Sequence, residues 1–421
     1  MTQIDEPDFY LDPDVGQDPY PFYEFLRGQC PVRPESHHGT VLVSGYEEVV
    51  AIASDVENFS ACNSMTGPFC GFPAAAGVED ATELIEQHRG SMPLNEYFPT
   101  FDPPAHTDHR SLMMKLITPK RLAENEEFMW RLADRQLDEF LPDGQCELVG
   151  QFSVPYVNMV ICDLLGVPEE DLPKFRAEFD RMTPDAASDG DVPPDALSWM
   201  NDVFTEYVED RRRQPRDDVL TGLATATFPD GSLPEVIHPV RIATFLFAAG
   251  GETTARLIAS ALRIIAEEPA LQERLRHDRK LIPGFLEEVL RVESPIKATS
   301  KIARFPTTVG STEIPAGAIV TMLLGAANRD PHQFENPEVF DPERPNARRH
   351  LAFSRGVHSC PGAPLARSEA RIALERMLDR MADIRISEAA HGPAGNRRYE
   401  WTNWYLLRGP MRLHLEFTPA D

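Results

Sequence analysis

One segment of the chain is long and apolar enough to dictate how the rest must pack. It runs from His238 to Pro269 and reads HPVRIATFLFAAGGETTARLIASALRIIAEEP. A helix that is apolar on most of its faces belongs in the interior of a protein. Its longest apolar run, near 242–250, is far shorter than the roughly 20 residues that a membrane span needs. We therefore predict a buried central helix and no membrane partner.

Shorter segments with helical spacing flank this helix, and strand-like segments lie towards the two ends of the chain. Helical patterns follow positions 119, 154 and 196, and strand patterns occur at 41–45, 307–324 and 411–417. A chain of 421 residues exceeds the usual size of one core, so it forms either two domains or one large helical domain. The predicted fold class is mainly α with small β-sheets (α+β), with a β-rich lobe built from residues 1–60 and 296–325.

Charge and cysteine usage exclude several classes of protein. The 41 basic and 67 acidic residues give a net charge of −26, which argues against a nucleic-acid partner because phosphate binding needs clustered cations. The six cysteines form no CxxC pair, so no structural zinc site is expected. A disulfide framework is not expected either in a chain of this length without a signal peptide. The chain opens with MTQIDEPDFYLDPD instead of a basic and apolar leader. These features predict a cytoplasmic enzyme.

The segment FSRGVHSCPG, Phe353–Gly362, singles out Cys360 among the cysteines. Gly356 and Gly362 allow tight turns and close approach to a flat cofactor. The following APLARSEARIALERML is helical in pattern, and a thiolate at a helix N-terminus is stabilised by unpaired N–H groups. One such thiolate can serve as the sole protein ligand of haem iron. A structural cysteine in a glycine-rich loop is the alternative.

Three further patterns are weak when taken singly. Glu288 and Arg291 lie at i and i+3 in GFLEEVLRVESP, a spacing that also suits a solvated surface pair. The segment DPPAHTDHR places His106 and Arg110 four residues apart, which suits an anionic group. The polar AGGETT interrupts the long apolar helix. It indicates either a loosened helix with a groove or a helix end.

Together and in this order, these motifs resemble those of the cytochrome P450 superfamily in its soluble bacterial form. The resemblance extends over nearly the whole chain and includes ANRDPHQFENPEVFDPER at 326–344. It implies one catalytic domain, 1–421, shaped as a triangular prism with a long central helix over haem b. It also implies a monomer.

The resemblance assigns roles to residues around the haem. Cys360 would ligate the haem iron, and Glu252 and Thr253 would form the acid–alcohol pair that delivers protons. The remaining cofactor contacts would be His106, Arg110, Ala249, Lys301, Phe353, His358 and Gly362. Structural roles behind the haem would fall to Glu288, Arg291 and Arg344. Substrate contacts would be Met92, Phe98, Phe245, Ala248, Ile296, Lys297, Ala298, Leu406 and Leu407.

The implied reaction is insertion of one oxygen atom of O₂ into a small hydrophobic substrate of terpenoid, aromatic, fatty-acyl or steroid type. Electrons would come from an acidic ferredoxin and its reductase, docked at a basic patch of Lys115, Arg348, Arg349 and Arg355. The alternatives are a peroxygenase driven by H₂O₂ and a haem-binding sensor without turnover. Neither of them needs an acid–alcohol pair.

Three positions depart from the pattern of many bacterial relatives. Ser354 stands where glycine is common, and Lys301 stands where arginine usually holds a propionate. Lysine offers a single point charge in place of a two-pronged fork. Pro361 has no N–H to donate to the sulfur, so we expect a more electron-rich sulfur and a lower iron potential.

Overall fold

The computed structural model describes residues 6–73, 77–182 and 197–420. Its helices are Pro13–Gln17 (α1), Tyr20–Arg27 (α2), Tyr46–Ser54 (α3), Thr82–Arg89 (α4), Ala105–Met113 (α5), Pro119–Asp138 (α6), Val154–Leu165 (α7), Leu172–Met182 (α8), Ser198–Arg213 (α9), Val219–Ala224 (α10), Ile237–Glu267 (α11), Pro269–His277 (α12), Ile282–Val292 (α13), Leu324–Ala327 (α14), Ala363–Arg380 (α15) and Glu388–His391 (α16). Its strands are Val32–Pro34 (β1), Val41–Val43 (β2), Phe59–Ser60 (β3), Gln145–Glu147 (β4), Thr299–Ala303 (β5), Thr307–Val309 (β6), Thr312–Ile314 (β7), Ile319–Met322 (β8), Met381–Ile386 (β9) and His414–Pro419 (β10). The predicted class, mainly α with small sheets, is confirmed.

Helix α11 is the buried central helix that the sequence predicted. Its 31 residues are mostly buried, and it packs against α7, α9 and α15. The GGETT segment does not end the helix, so the alternative of a helix end there does not apply, and α11 runs without a break through this point. Gly250 and Gly251 instead allow α7 to approach. A Cβ on Gly251 would lie 2.4 Å from Asn158 Oδ1, so a larger residue would overlap the neighbouring helix.

The largest sheet has five strands in the order β1-β2-β8-β5-β3. Strand β2 pairs in parallel with β8, and β5 pairs with β8 in antiparallel register, Thr299 opposite Met322. The β-branched residues of VLV and IVTM suit these buried strands. Helix α3 packs beside this sheet in a shared apolar cluster. This arrangement brings the segment after α13 to one wall of the interior cavity.

A second, three-stranded sheet has the order β4-β10-β9, and β6 and β7 form a separate hairpin. Long helix α6 begins with a capped turn, because the Thr118 hydroxyl accepts the Arg121 N–H and Pro119 fits the first helical position. The main apolar core lies among α6, α7, α11 and α15. Across the described ranges, no helix is both long and apolar enough to cross a bilayer.

The C-terminal segment before β10 is fastened to the strand-like residues after α13. Leu407 forms a β-bridge with Ile296, and the Lys297 N–H donates to the Leu406 carbonyl at 2.7 Å. The next residue, Arg408, is buried and donates to Glu293 at 3.0 Å and to the Gln17 carbonyl at 3.1 Å. A buried, hydrogen-bonded ion pair holds its neighbours firmly because separating it leaves uncompensated charge.

Candidate active site

A cavity of about 610 Å³ lies inside the molecule and has a mainly apolar lining. Helix α11 contributes Phe245, Ala248, Ala249, Glu252 and Thr253. The cysteine loop contributes Phe353, His358, Cys360 and Gly362, and two other walls come from 295–301 and 404–407. Its size is within the range of small-molecule sites.

The cysteine loop is shaped by two residues with left-handed backbone. Ser354 has a φ of +57°, and Gly356 has a φ of +71°. A Cβ on Gly356 would lie 2.7 Å from the Ala53 carbonyl oxygen, so only glycine fits there. Ser354 adopts a conformation that glycine enters without the cost a Cβ imposes.

Cys360 is held at the start of α15 with its thiol facing the cavity. Its N–H donates to the Phe353 carbonyl at 2.9 Å. The exposed area of its side chain faces the cavity and a depression on the other side of the loop. Burial raises the pKa of the thiol, whereas the N–H groups of Gly362 and Ala363 and the charge of Arg110 act in the opposite direction. No cluster of three or more His, Cys, Asp or Glu able to hold a metal occurs among the residues described. The site therefore offers one sulfur ligand.

The residues predicted to hold haem propionates lie around the cysteine loop. The rings of His106 and His358 are 4.1 Å apart, and both nitrogens of His106 and Nε2 of His358 are buried without a partner. Arg110 donates to the Ser359 carbonyl at 2.8 Å, and Lys301 Nζ reaches only the carbonyls of Ile52 and Ala53, at 3.0 and 3.3 Å. Within the described ranges, the hydrogen bonds of Arg110 and Lys301 go to backbone carbonyls and not to a carboxylate.

The pKa values of three of these groups are lowered, because burial disfavours their protonated forms. Burial lowers the pKa of His106 to about 4, with the charge of Arg110 adding to the effect. Burial also lowers the pKa of His358 to about 3 and that of Lys301 to about 8. Unpaired buried donors are costly unless a ligand satisfies them. The residues present thus fit a buried group with two carboxylates, as in haem b.

The predicted acid–alcohol pair lines the cavity. The Thr253 hydroxyl donates to the Ala249 carbonyl at 2.8 Å, one turn earlier on α11. Glu252 pairs with Arg256 at 2.7 Å, and Arg256 in turn donates to the Pro410 carbonyl. The hydroxyl and the carboxylate thus lie side by side in a lining that is mainly apolar.

Glu288 and Arg291 form a fully buried ion pair, with two hydrogen bonds of 2.8 and 2.7 Å. Arg344 adds a 3.0 Å bond from its Nε to Glu288, and Arg291 also donates to the carbonyls of Asn328 and Pro337. These contacts tie α13 to the irregular segment 328–344. The surface-pair alternative does not apply, because both side chains have no exposed area.

A neighbouring ion cluster was not found by sequence reasoning. Glu287 accepts from Arg367 at 2.6 and 3.0 Å and contacts His350 Nε2 at 3.1 Å. The Arg367 guanidinium lies 4.7 Å from the Phe353 ring centre. Burial alone would raise the pKa of Glu287, but the hydrogen bonds of His350 and Arg367 outweigh it and lower the pKa to about 2. The cluster braces the cysteine loop from behind.

Two of the predicted substrate contacts, Met92 and Lys297, do not line the cavity. Met92 packs into a small separate cluster with Cys62 and Ile85, and Lys297 is buried outside the cavity lining that the described residues form. Successive side chains of an extended segment point in opposite directions, so Ile296 and Ala298 reach the cavity and Lys297 between them does not. The other predicted contacts line it: Phe98, Phe245, Ala248, Ile296, Ala298, Leu406 and Leu407.

A depression of about 160 Å³ lies on the other side of the cysteine loop and also reaches Cys360. Arg348, Arg355 and Arg367 line it, and exposed Arg349 follows Arg348. Lys115 is exposed but hydrogen-bonds the Thr227 carbonyl instead of lining the depression. Arg367 was not among the residues that the sequence indicated for the basic patch.

Comparisons with known proteins agree on one family. The family model described as Cytochrome P450 matches residues 238–382. The chain is 33% identical to Cytochrome P450 144 of Mycobacterium tuberculosis, over 99% of this chain and 92% of that protein. It is also 33% identical to Cytochrome P450 monooxygenase PikC of Streptomyces venezuelae, over 89% of this chain and 87% of that protein. The substrate-free structure of Mycobacterium marinum cytochrome P450 CYP150A6 has a TM-score of 0.94, with 52% identity and 99% coverage of both chains.

Proposed function

Because the chain belongs to the cytochrome P450 family of haem-dependent monooxygenases, we propose that it oxygenates a mainly apolar substrate with electrons from a ferredoxin. One oxygen atom of O₂ enters a C–H or C=C bond, and the other leaves as water. The observation that carries the proposal is that a thiol, Cys360, and a hydroxyl, Thr253, line the same apolar cavity. The reaction needs a ligand for iron and a route for protons, and these two groups supply them.

The family's haem b supplies an iron centre that activates O₂ when a cysteine thiolate is its axial ligand. In the proposed site Cys360 is that ligand, and the N–H groups of Gly362 and Ala363 favour its ionised form. His106, Arg110, Lys301 and His358 would hold the propionates. The ring nitrogens of His106 and Nε2 of His358 support the proposal, because they are buried without a hydrogen-bond partner among the described residues. Phe353 begins the cysteine loop, and its ring lies under the Arg367 guanidinium.

Protons have to reach a cavity whose walls are mostly apolar. In the proposal the Thr253 hydroxyl passes a proton towards the reacting oxygen, and Glu252 connects Thr253 with solvent. Glu252 is suited to this task because more than a third of its side chain is exposed, while Arg256 keeps it beside the cavity. Replacing Thr253 with alanine should leave substrate binding intact but release much of the reductant as H₂O₂, whereas Thr253→Ser should stay coupled.

The proposed substrate is a hydrophobic molecule of terpenoid, aromatic, fatty-acyl or steroid type. Aromatic and aliphatic side chains dominate the lining, with Phe98 and Phe245 in edge contact at 5.4 Å. Aromatic and Met-rich walls bind apolar surface, and polar groups then fix orientation. Asn158 and Thr402 are neutral polar residues of the lining that could do so.

The proposed electron donor is an acidic ferredoxin that docks over the depression behind Cys360. Arg348 and Arg355 place positive charge there in a chain whose net charge is −26, while Arg367 beside them is paired with Glu287. Local complementarity of charge raises the association rate and makes it depend on salt. Arg348→Glu should raise the KM for ferredoxin, and the exposed Arg213→Glu on α9 serves as the control of equal charge change.

One set of measurements tests the proposal. The haem-loaded protein is first examined for the CO-difference band of a thiolate-ligated iron, which Cys360→Ser should lose. A ligand screen for the low-to-high-spin shift then identifies compounds that enter the cavity. Turnover of those compounds is compared between NADH with ferredoxin and its reductase, and H₂O₂ alone. Product formation with ferredoxin supports the monooxygenase, turnover only with H₂O₂ supports the peroxygenase, and spin shifts without product support the sensor.

A further inference from the structure

An arginine in the first turns of α11 has no role in the function proposed above. Arg241 is partly buried, its Nε atom is buried without a hydrogen-bond partner, and it forms no ion pair within the described ranges. A guanidinium is always charged and offers five N–H donors in a fixed fork. The buried N–H of Arg241 therefore lacks the acceptor that such a group normally has in a folded protein.

Arg241 lies on a face of α11 that leads into the cavity. It stands three residues after His238 and four residues before Phe245, so the three side chains follow one another along the helix surface. Phe245 lines the cavity, whereas Arg241 and His238 are not part of the lining. Helical side chains lean towards the N-terminus, so the guanidinium extends away from Thr253. This face of the helix therefore changes from charged to apolar as it enters the cavity.

Tyr97 connects this arginine with the cavity. Its ring lines the cavity 6.0 Å from the ring of Phe245, and its hydroxyl contacts the Asn201 amide of α9 at 3.5 Å, which is long for a hydrogen bond. Asn201 Oδ1 is buried without a partner among the described residues. Burial raises the pKa of Tyr97, and the charge of Arg241 acts in the opposite direction. A hydroxyl and an amide with unused hydrogen-bonding capacity thus lie near the guanidinium, at the edge of the cavity.

Two histidines near Arg241 do not neutralise it. His109 Nδ1 lies 2.8 Å from the Ala105 carbonyl and has to carry the hydrogen, so its Nε2 accepts the N–H of His238 Nδ1 at 2.8 Å. Burial lowers the pKa of both histidines, and the charge of Arg241 acts in the same direction. The pair is therefore neutral at pH 7, and the charge of the arginine is left for a ligand.

We propose that Arg241, with the Tyr97 hydroxyl and the Asn201 amide, binds the carboxylate of an amphipathic substrate whose apolar body lies in the cavity. The proposal rests on the monooxygenase function and narrows its substrate to carboxylic acids with a long apolar body. A guanidinium fork suits a carboxylate, which can accept two parallel hydrogen bonds from it. Arg241 precedes Thr253 by twelve residues, which is about 18 Å along the helix axis. The oxidised carbon should therefore be remote from the carboxylate.

Binding of alkanoic acids to the haem-loaded ferric enzyme at pH 7 tests the site without turnover. Octanoic, dodecanoic and hexadecanoic acid are compared with their methyl esters, both by the low-to-high-spin shift and by equilibrium dialysis. At least one acid should bind about tenfold more tightly than its ester, as expected for hydrogen bonds between charged groups. If no acid binds more tightly than its ester, the proposal is overturned.

Substitutions then locate the carboxylate. Arg241→Gln should weaken binding of the acid about tenfold and leave binding of the ester unchanged, whereas Arg135→Gln, at an exposed position of α6, should change neither. Glu96→Gln should strengthen binding of the acid, because the charge of Glu96 opposes that of Arg241 at the Tyr97 hydroxyl. Such a gain cannot come from a folding defect. An acid preference that Arg241→Gln leaves intact would refute the assignment.

The position of oxidation separates this proposal from the proposed function. With NADH, ferredoxin, its reductase and O₂, the wild type should oxidise the bound acid in the half of its chain remote from the carboxylate. Arg241→Gln should spread the products over more positions. Oxidation beside the carboxylate would overturn the proposal. Acid-selective binding that depends on Arg241 but gives no product would instead refute the proposed function, and the carboxylate site would still stand.

Discussion

Replacing Glu287 with glutamine should remove a part of the folding stability that depends on pH. The carboxylate is buried and accepts two hydrogen bonds from Arg367 while contacting His350. Glutamine keeps the size of the side chain but loses its charge. The variant therefore separates the contribution of the ion cluster from that of packing.

The magnitude follows from the pKa of this group. It falls from an ordinary 4.5 to about 2 in the folded protein, a difference that corresponds to about 3 kcal/mol of stability at pH 7. Because the folded pKa is the lower one, this stability is complete above about pH 4.5 and is lost as the pH falls towards 2. At pH 3 less than half of it remains.

Urea unfolding of the haem-loaded protein, followed by far-UV circular dichroism and the Soret band, measures the effect at pH 7, 5, 4 and 3. The free energy of unfolding of Glu287→Gln should lie about 3 kcal/mol below that of the wild type at pH 7, and the gap should narrow at pH 3. Glu313→Gln, an exposed position on β7, should change stability by less than about 0.5 kcal/mol at each pH. A gap that stays constant from pH 7 to pH 3, or widens, would refute the reasoning.

Three other substitutions test local features by measurement of stability or potential. Gly251→Ala should destabilise the protein by about 1–3 kcal/mol, because its Cβ would meet Asn158 Oδ1 at 2.4 Å. Adding Asn158→Ala to the same chain should recover most of the lost stability. No recovery would show that this contact is not the cause. Ser354→Gly should raise the free energy of unfolding by about 1 kcal/mol by relieving a φ of +57°, and a loss of stability would contradict that account. Pro361→Leu should raise the Fe(III)/Fe(II) potential by adding an N–H near the Cys360 sulfur, and an unchanged potential would contradict it.

The sequence predicted the fold class and the buried helix because both depend on local pattern. Thirty-one mostly apolar residues at helical spacing leave few alternatives to a central helix. The glycines of GGETT were harder to interpret. A glycine that loosens the helical hydrogen bonds and a glycine that lets a neighbouring helix pack closely cannot be distinguished from sequence. Only the position of Asn158 on α7 distinguishes the two cases.

The parts of the site that sequence reasoning missed depend on contacts between distant residues. Glu287 stands next to Glu288, but its partners His350 and Arg367 lie 63 and 80 residues further along. The placement of Lys297 could have been found, because alternation along an extended segment already separates it from Ile296 and Ala298. Glu369 of α15 is buried and also lines the cavity. Its place there could not have been found, since spacing along one helix does not reveal which of its faces a neighbouring helix covers.

The segment with Leu406 and Leu407, which forms one wall of the cavity, is held rigidly, and this has a consequence for engineering. Leu406 and Leu407 are held by backbone bonds to Ile296 and Lys297, and Arg408 anchors the next position. Because the backbone of this wall is fixed, a larger or smaller side chain there should change the shape of the cavity only locally. Changes in selectivity should therefore be graded and nearly additive. Variant libraries at these two leucines are therefore suited to tuning which carbon of a bound molecule is oxidised.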